Sequence, residues 1–302
     1  MLISVSGNND TPAMRFDDST DVEINFPPLP RTVVEVTELL GDEDARPDVQ
    51  ALAKIVNSDP IIASSVLRRI NSAYYGMRRR ISQVEKAVFL LGFLEVSNLV
   101  LTASMLRLRD IVDTDEQVKI FTQVTRSSIS TAHLMDHLTK ELAVPASSMA
   151  YTLGLLHNIG RLVLLYNRPD DYEALWFVEG EPKAPDAAAE KRIFGIDFAD
   201  LGALATEEWQ LPETISEVIR SQIRPERVSD SHHELLVLSL LLSATSQVSR
   251  DWFISPGDDF KPPAALHLLA QQLERSSDSI EDLIERERET TVTYVNSMTT
   301  AD

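Results

Sequence analysis

From Val33 to Val248, apolar residues recur three and four positions apart, and each such segment gives way to the next with no alternating stretch between them. This succession is the strongest constraint on the fold. Without strands between helices there is no sheet for a βαβ architecture to build, so an all-α fold is expected. Glycine, at 10 residues in 302, is too scarce for a turn-rich β protein.

The boundaries are marked locally. In FPPLPRTVVEVTELL the prolines set an extended entry, Val33, Val36, Leu39 and Leu40 lie on one helical face, and Gly41 ends the run. A second helix is expected from about 47 to 57. Ser58-Asp59-Pro60 then starts a third, with Asp59 as cap and Pro60 in the first turn. NSAYYGMRRR breaks the pattern at Gly76, and Ser82-Gln83-Val84-Glu85 has the form of a capping box. A long helix is expected from about 115 to 142, and another from Pro145 through GLLHNIGRLVLL, Gly154 to Leu165. Shorter helices follow at about 170–178, 187–194, 198–209 and 212–223. A nearly all-apolar helix spans 234–248, which must be buried on most sides. Weak helices fill 263–287. Residues 288–302 are expected to fray, and residues 1–25, with Asp17, Asp18, Asp21 and Glu23, to form a disordered acidic tail.

Bulk composition narrows the functional classes. The 28 basic and 47 acidic side chains give a formal charge of −19, a field that disfavours nucleic acid and anionic membrane unless a basic patch overrides it. With no cysteine, disulfides and thiolate metal sites are excluded. The apolar run Leu235 to Ala244 is half the length of a membrane span, and MLISVSGNND lacks a basic n-region. A cytoplasmic protein is expected.

Three stretches taken together carry a family resemblance: FPPLPRTVVEVTELL, IVNSDPIIASSVLRRINSAYYG and ISQVEKAVFLLGFLEVSNLVLT. They resemble the opening half of an HDOD domain, a bacterial output domain related to the HD metal-dependent phosphohydrolases. GLLHNIGRLVLL is similar to the degenerate HD motif of that family. FGIDFADLGALATEEWQLPETISEVI resembles its closing segment, with a Trp-x-Leu-Pro turn at Trp209 to Pro212. The likeness covers roughly residues 26–225. It implies a single large multi-helix HD-like domain over 26–226, with a helical C-terminal extension over 227–287. It also implies a signalling role, often as an adaptor. A leader of 25 residues is too short for a fused receiver domain, so a stand-alone module is expected.

The resemblance also places an HD metal site, which the residues here do not fill. The aspartate of a His-Asp pair supplies an anionic oxygen that can bridge two cations, whereas Asn158 beside His157 offers one neutral carbonyl. The stretch expected to bring the first histidine reads Val124-Thr125-Arg126-Ser127. Asp197-Phe198-Ala199 stands where relatives often have Asp-His-Ala, and Arg220-Ser221-Gln222 where a histidine pair would be. Leu235 to Ser249 contains no acid. Only His157 remains, and a metal site generally needs three or more protein ligands. We therefore expect a vestigial site of His157, Asn158, Arg126, Phe198 and Gln222, with no bound metal, no cofactor and no catalysis. The bland reading of His157 is a buried histidine bonded to a backbone carbonyl. The rival is a cryptic phosphohydrolase.

Two further groups stand out. His133-Leu-Met-Asp136-His137 resembles a zinc-binding spacing but lacks an evident third ligand, and two histidines on a long helix are usually solvated. His232, His233 and His267 are isolated. Arg68, Arg69, Arg78, Arg79 and Arg80 crowd around Asn71, Tyr74 and Tyr75, and arginine forks beside tyrosines suit phosphate or carboxylate recognition. The plain alternative is that the tyrosines pack the domain while the arginines neutralise acidic helices. As an interaction surface, the cluster would receive signalling proteins. As a nucleotide or nucleic-acid sensor it would work against the acidic remainder of the chain.

Overall fold

The structure is a computed structural model, and it describes residues 15–17, 20–41, 47–144, 147–178, 180–254 and 263–299. Most of the acidic N-terminal tail lies outside the described residues. Within them, Arg15–Asp17 (β1) pairs antiparallel with Thr20–Glu23 (β2), a short hairpin where disorder was expected.

Five helices form the first half: Arg31–Gly41 (α1), Val49–Ser58 (α2), Pro60–Ile70 (α3), Val84–Leu91 (α4) and Phe93–Leu106 (α5). A 3₁₀ turn, Arg107–Ile111, leads to the long Asp115–Glu141 (α6). Ser147–Leu156 (α7), Ile159–Asn167 (α8) and Pro169–Trp176 (α9) follow. A minimal hairpin of Phe177–Val178 (β3) and Glu181–Pro182 (β4) precedes Ala187–Phe194 (α10), Phe198–Glu208 (α11) and Glu213–Ser221 (α12). His233–Phe253 (α13), Ala264–Gln272 (α14) and Ser277–Thr299 (α15) complete the described chain. Among the described residues the fold is all-α apart from the two small hairpins, and no helix is long and apolar enough to cross a membrane.

Local chemistry sets several of these ends. Asp48 accepts from the Ala51 amide at 2.9 Å and starts α2. Asp59 accepts from Ile61 and Ile62 at 3.0 and 3.2 Å, with Pro60 fixing the first turn of α3. The expected capping box does not form. Gln83, without a side-chain bond, precedes α4, and Glu85 turns away to meet Asn57 Nδ2 at 3.5 Å. What holds this turn instead is Asn71. Its amide donates to the Leu67 and Ile81 carbonyls at 2.6 and 2.8 Å, and its Oδ1 accepts from Ile81 N at 2.7 Å.

Helix α6 is the axis of the molecule and packs against α7, α13 and α15. Its buried middle is rich in serine, threonine and alanine, which allows close approach. At the α7 crossing a Cβ on Gly154 would lie 2.5 Å from Ala132 Cα, so only glycine fits. A Cβ on Gly160 would lie 2.0 Å from the Phe198 carbonyl, so α8 meets α11 backbone to backbone. The two ends of the HDOD-like region also meet. Phe26 stands edge-on to Trp209 at 6.5 Å, and Asn25 and Asn167 exchange two bonds of 2.8 Å.

The C-terminal part departs from expectation. The segment expected to fray from residue 288 is the second half of α15, with Tyr294, Val295 and Met298 buried. Valine and threonine at 291–295 lowered the apparent helicity of the sequence, but packing against α6 overrides propensity. Helix α13 lies past the HDOD-like region, yet its leucines belong to the same hydrophobic core.

Candidate functional site

The helix expected to run unbroken through GLLHNIGRLVLL is interrupted at its chemical centre. Helix α7 ends at Leu156 and α8 begins at Ile159, so His157 and Asn158 form the corner between them. The two glycines described above clamp both arms of that corner against α6 and α11. A cavity of about 220 Å³ opens beside it, walled by α6, α10, α11, α12 and α13.

His157 is 2% exposed, and its Nδ1 lies 2.6 Å from the Gly154 carbonyl. A carbonyl only accepts, so Nδ1 carries the proton and Nε2 is left as an acceptor. Burial pushes the imidazole down to about 4, with Arg161 adding to the effect and the Gly154 bond opposing it. The ring is therefore neutral at pH 7. Asn158 is buried beside it and does not cap α8.

Gln222, at the end of α12, reaches the corner. Its Nε2 donates to the His157 and Ile219 carbonyls, both at 2.9 Å, while its buried Oε1 has no partner among the described residues. Phe198 opens α11 with its ring under the Arg161 guanidinium, 4.2 Å from carbon to centroid. Arg126 is not part of the cavity. It lies over the Phe253 ring and donates to Thr299 Oγ1 and Asn296 Oδ1 at 2.8 and 2.7 Å. Its neighbour Ser127 faces the cavity instead, with its buried Oγ unpartnered. Within the stretch expected to reach the site, Ser127 and not Arg126 lines the cavity, and α15 holds the Arg126 side.

Two arginines that sequence reasoning missed dominate the cavity. Arg161, 3% exposed, donates to the Pro185 carbonyl at 3.0 Å, and its Nε stands 3.6 Å from Glu190. Glu190 is fully buried. It accepts from Tyr172 Oη and from the Phe198 amide, both at 3.0 Å, and burial raises its pKa against the pull of Arg161. Arg250, on α13, donates to the Ala184 carbonyl at 2.7 Å, and burial lowers its pKa. The only sequence signal for Arg161 was its place on an otherwise apolar face four residues after His157.

This donor set does not fit the divalent cation of an HD site. Among the cavity residues only His157 and Asp186 carry an imidazole or a carboxylate, and Asp186 uses one oxygen to cap α10 at Ala189 N, 2.7 Å away. No group of three or more potential ligands occurs among the described residues, and two guanidinium groups line the wall.

The two remaining groups separate. Arg68, Arg78, Arg79 and Arg80 are exposed, and Tyr74 is half-exposed. Arg69 cannot serve a surface: it is buried and donates to Ser65 Oγ at 2.5 Å and to the Met298 carbonyl of α15 at 2.8 Å. Asn71 is spent on the turn. Tyr75 donates to Glu95 at 2.6 Å from a mostly buried position, and burial raises its pKa. His133 is buried rather than solvated. It stacks on His137 at 4.3 Å, lies tilted against Tyr294 at 4.5 Å, bonds Thr291 Oγ1 at 3.0 Å, and burial lowers its pKa to about 3. Helix α15 covers it. Sequence reasoning also missed Phe89, which is 87% exposed on α4, with Leu90 exposed beside it.

Comparison with known proteins agrees with this architecture. The HDOD domain model matches residues 26–225, two thirds of the chain. The chain belongs to the HDOD family. Over 198 residues it is 27% identical to an uncharacterised protein of Treponema pallidum (strain Nichols), a match spanning 65% of this chain and 37% of that relative. This HDOD protein thus corresponds to well under half of that longer chain. A solved HDOD domain protein of unknown function from Geobacter sulfurreducens superposes with a TM-score of 0.74 at 17% identity, over 91% of this chain and 93% of the other. A candidate phosphohydrolase from Shewanella amazonensis SB2B gives 0.64 at 21% identity, over 90% and 95% of the two chains. At these identities the solved structures show the fold alone.

Proposed function

We propose that this HDOD protein is a non-catalytic regulatory module that acts through protein–protein contact, with its HD corner vestigial as a metal site. The observation that carries this reading is the donor set at the corner: one neutral histidine and one engaged carboxylate, faced by two arginines. A hydrolytic metal ion needs several anionic or imidazole ligands to bind and to activate water. The docking surface fits the connection from α3 to α4. Four exposed arginines and the half-exposed Tyr74 lead there into a helix with Phe89 and Leu90 in solvent. Such a surface suits an acidic signalling protein with an apolar anchor.

The test is metal analysis of protein purified without chelator, together with phosphomonoester and phosphodiester hydrolysis assays. We expect substoichiometric metal and no turnover, also for Asn158→Asp, which restores one carboxylate while Phe198 and Gln222 still occupy the other positions. Stoichiometric metal lost on His157→Ala, or metal-dependent hydrolysis, would establish a cryptic phosphohydrolase instead. A nucleotide sensor is the second reading, because exposed arginines beside a tyrosine also suit phosphates. A saturable nucleotide response lost on replacing Arg78, Arg79 and Arg80 would favour it.

A further inference from the structure

We propose that the cavity at the His157–Asn158 corner is a binding site for a small oxyanion that carries a hydroxyl of its own, hydrogen phosphate or a short phosphomonoester with a hydroxyl on its substituent. The site of a cation in HD hydrolases would here be an anion site.

Three observations converge. The wall presents two guanidinium groups, and the carboxylates near them are already engaged: Glu190 behind Arg161 takes Tyr172 Oη and the Phe198 amide, and Asp186 caps α10. Each arginine is held by one backbone carbonyl, Pro185 for Arg161 and Ala184 for Arg250, which fixes the forks while leaving donors to spare. Two polar atoms of the wall, Ser127 Oγ and Gln222 Oε1, are buried in residues at most 3% exposed, and neither has a partner among the described residues. A buried polar group without a partner costs about 1–3 kcal/mol, so a native pocket is expected to supply one.

The identity of the unpaired atoms selects the ligand. Arginine and serine donate to oxygens of an anion. Gln222 Oε1 only accepts, and the bonds of its amide nitrogen to the His157 and Ile219 carbonyls fix which way it points. It requires a donor, and so does His157 Nε2, because Nδ1 holds the ring proton. A ligand must therefore both accept from the arginines and donate to the corner. Hydrogen phosphate does both. Sulfate, fully ionised at neutral pH, only accepts. The volume of about 220 Å³ admits a phosphate with a short substituent.

The experiment is calorimetry and thermal shift on the full chain with inorganic phosphate, sulfate and glycerol phosphate, each against sodium chloride of equal ionic strength. We expect saturable binding of phosphate or glycerol phosphate that exceeds sulfate; which of the two binds more tightly distinguishes free phosphate from a monoester. Arg250→Met removes a charge-assisted pair and should weaken binding at least about tenfold. Gln222→Leu should narrow the gap between phosphate and sulfate. Asn158→Asp, nearly isosteric, sets a carboxylate against the anion and should also weaken binding, so the test stands even if Arg250→Met fails to fold. Arg161 is left intact because its removal would strand Glu190. Absence of saturable binding to either phosphate, sulfate bound as tightly as phosphate, or affinity unchanged in folded Arg250→Met or Asn158→Asp protein would overturn the proposal. These outcomes do not depend on whether the α3–α4 surface captures a partner.

Discussion

Two sets of arginines divide the molecule. Arg68, Arg78, Arg79 and Arg80 stand in water around the α3–α4 connection. Arg69, Arg126, Arg161 and Arg250 are buried or partly buried, and each is tied to groups far away in sequence. Arg68 and Arg69 are adjacent in the chain yet belong to different sets. A helix turns its neighbours about 100° apart, and α15 roofs only one of those directions. A run of like residues in sequence is thus no evidence for a run of like roles. Exposed arginines are free to meet a protein surface, whereas buried ones are held by carbonyls and a carboxylate and face only their own helices or the cavity.

The largest effect that would sharpen this contrast is expected at Arg161. Arg161→Ala leaves the fully buried Glu190 without its cation and should cost about 3–5 kcal/mol in denaturant unfolding. A loss no larger than that of an exposed arginine would erase the division.

Histidine offers the same contrast through pH. Burial holds His157 near 4 and His133 near 3, against about 6.5 in the unfolded chain. Both stay neutral when folded, so their stabilising effect is complete above pH 6.5 and is lost as pH falls from 6.5 towards those values. Between pH 6.5 and 4.5 each should withdraw up to about 3 kcal/mol. Unfolding free energies from pH 7.5 to 4.5 should fall steeply in wild type and less so in His133→Gln. A flat profile would mean that the rings are open to water.

Arg69→Ala should be intermediate, at about 1–3 kcal/mol, because it strands the Met298 carbonyl and loosens the end of α15. Hydrogen exchange should rise at residues 294–299 before it rises elsewhere. Uniform loosening would place Arg69 among general core residues rather than at the α15 clasp.

The smallest change in stability is expected from the combined Arg78→Ala, Arg79→Ala and Arg80→Ala protein, below about 0.5 kcal/mol. Its effect should fall on partner capture, which weakens and loses part of its salt dependence. Unchanged capture at two salt concentrations would move the interaction surface away from this loop.

The sequence alone determined the helical class, the order of most helices and the extent of the HDOD region. These rest on periodicity, on Asp-Pro and proline starts, and on motifs whose spacing survives in one dimension. It also raised the expectation that His157 stands without a metal-ligating set, since ligand types can be counted along a chain. Tertiary structure decided everything that depends on which side of a helix is covered. Helix α15, weak by propensity, is folded by its contact with α6, and that contact buries His133 and draws Arg126 away from the cavity where Ser127 stands instead. Arg161 and Arg250 lie 89 positions apart, and only the packing of α8 against α11 and of α13 against α6 brings them to one wall. Local pattern fixes what a segment can become; burial, which belongs to pairs of segments, fixes what each side chain is left free to do.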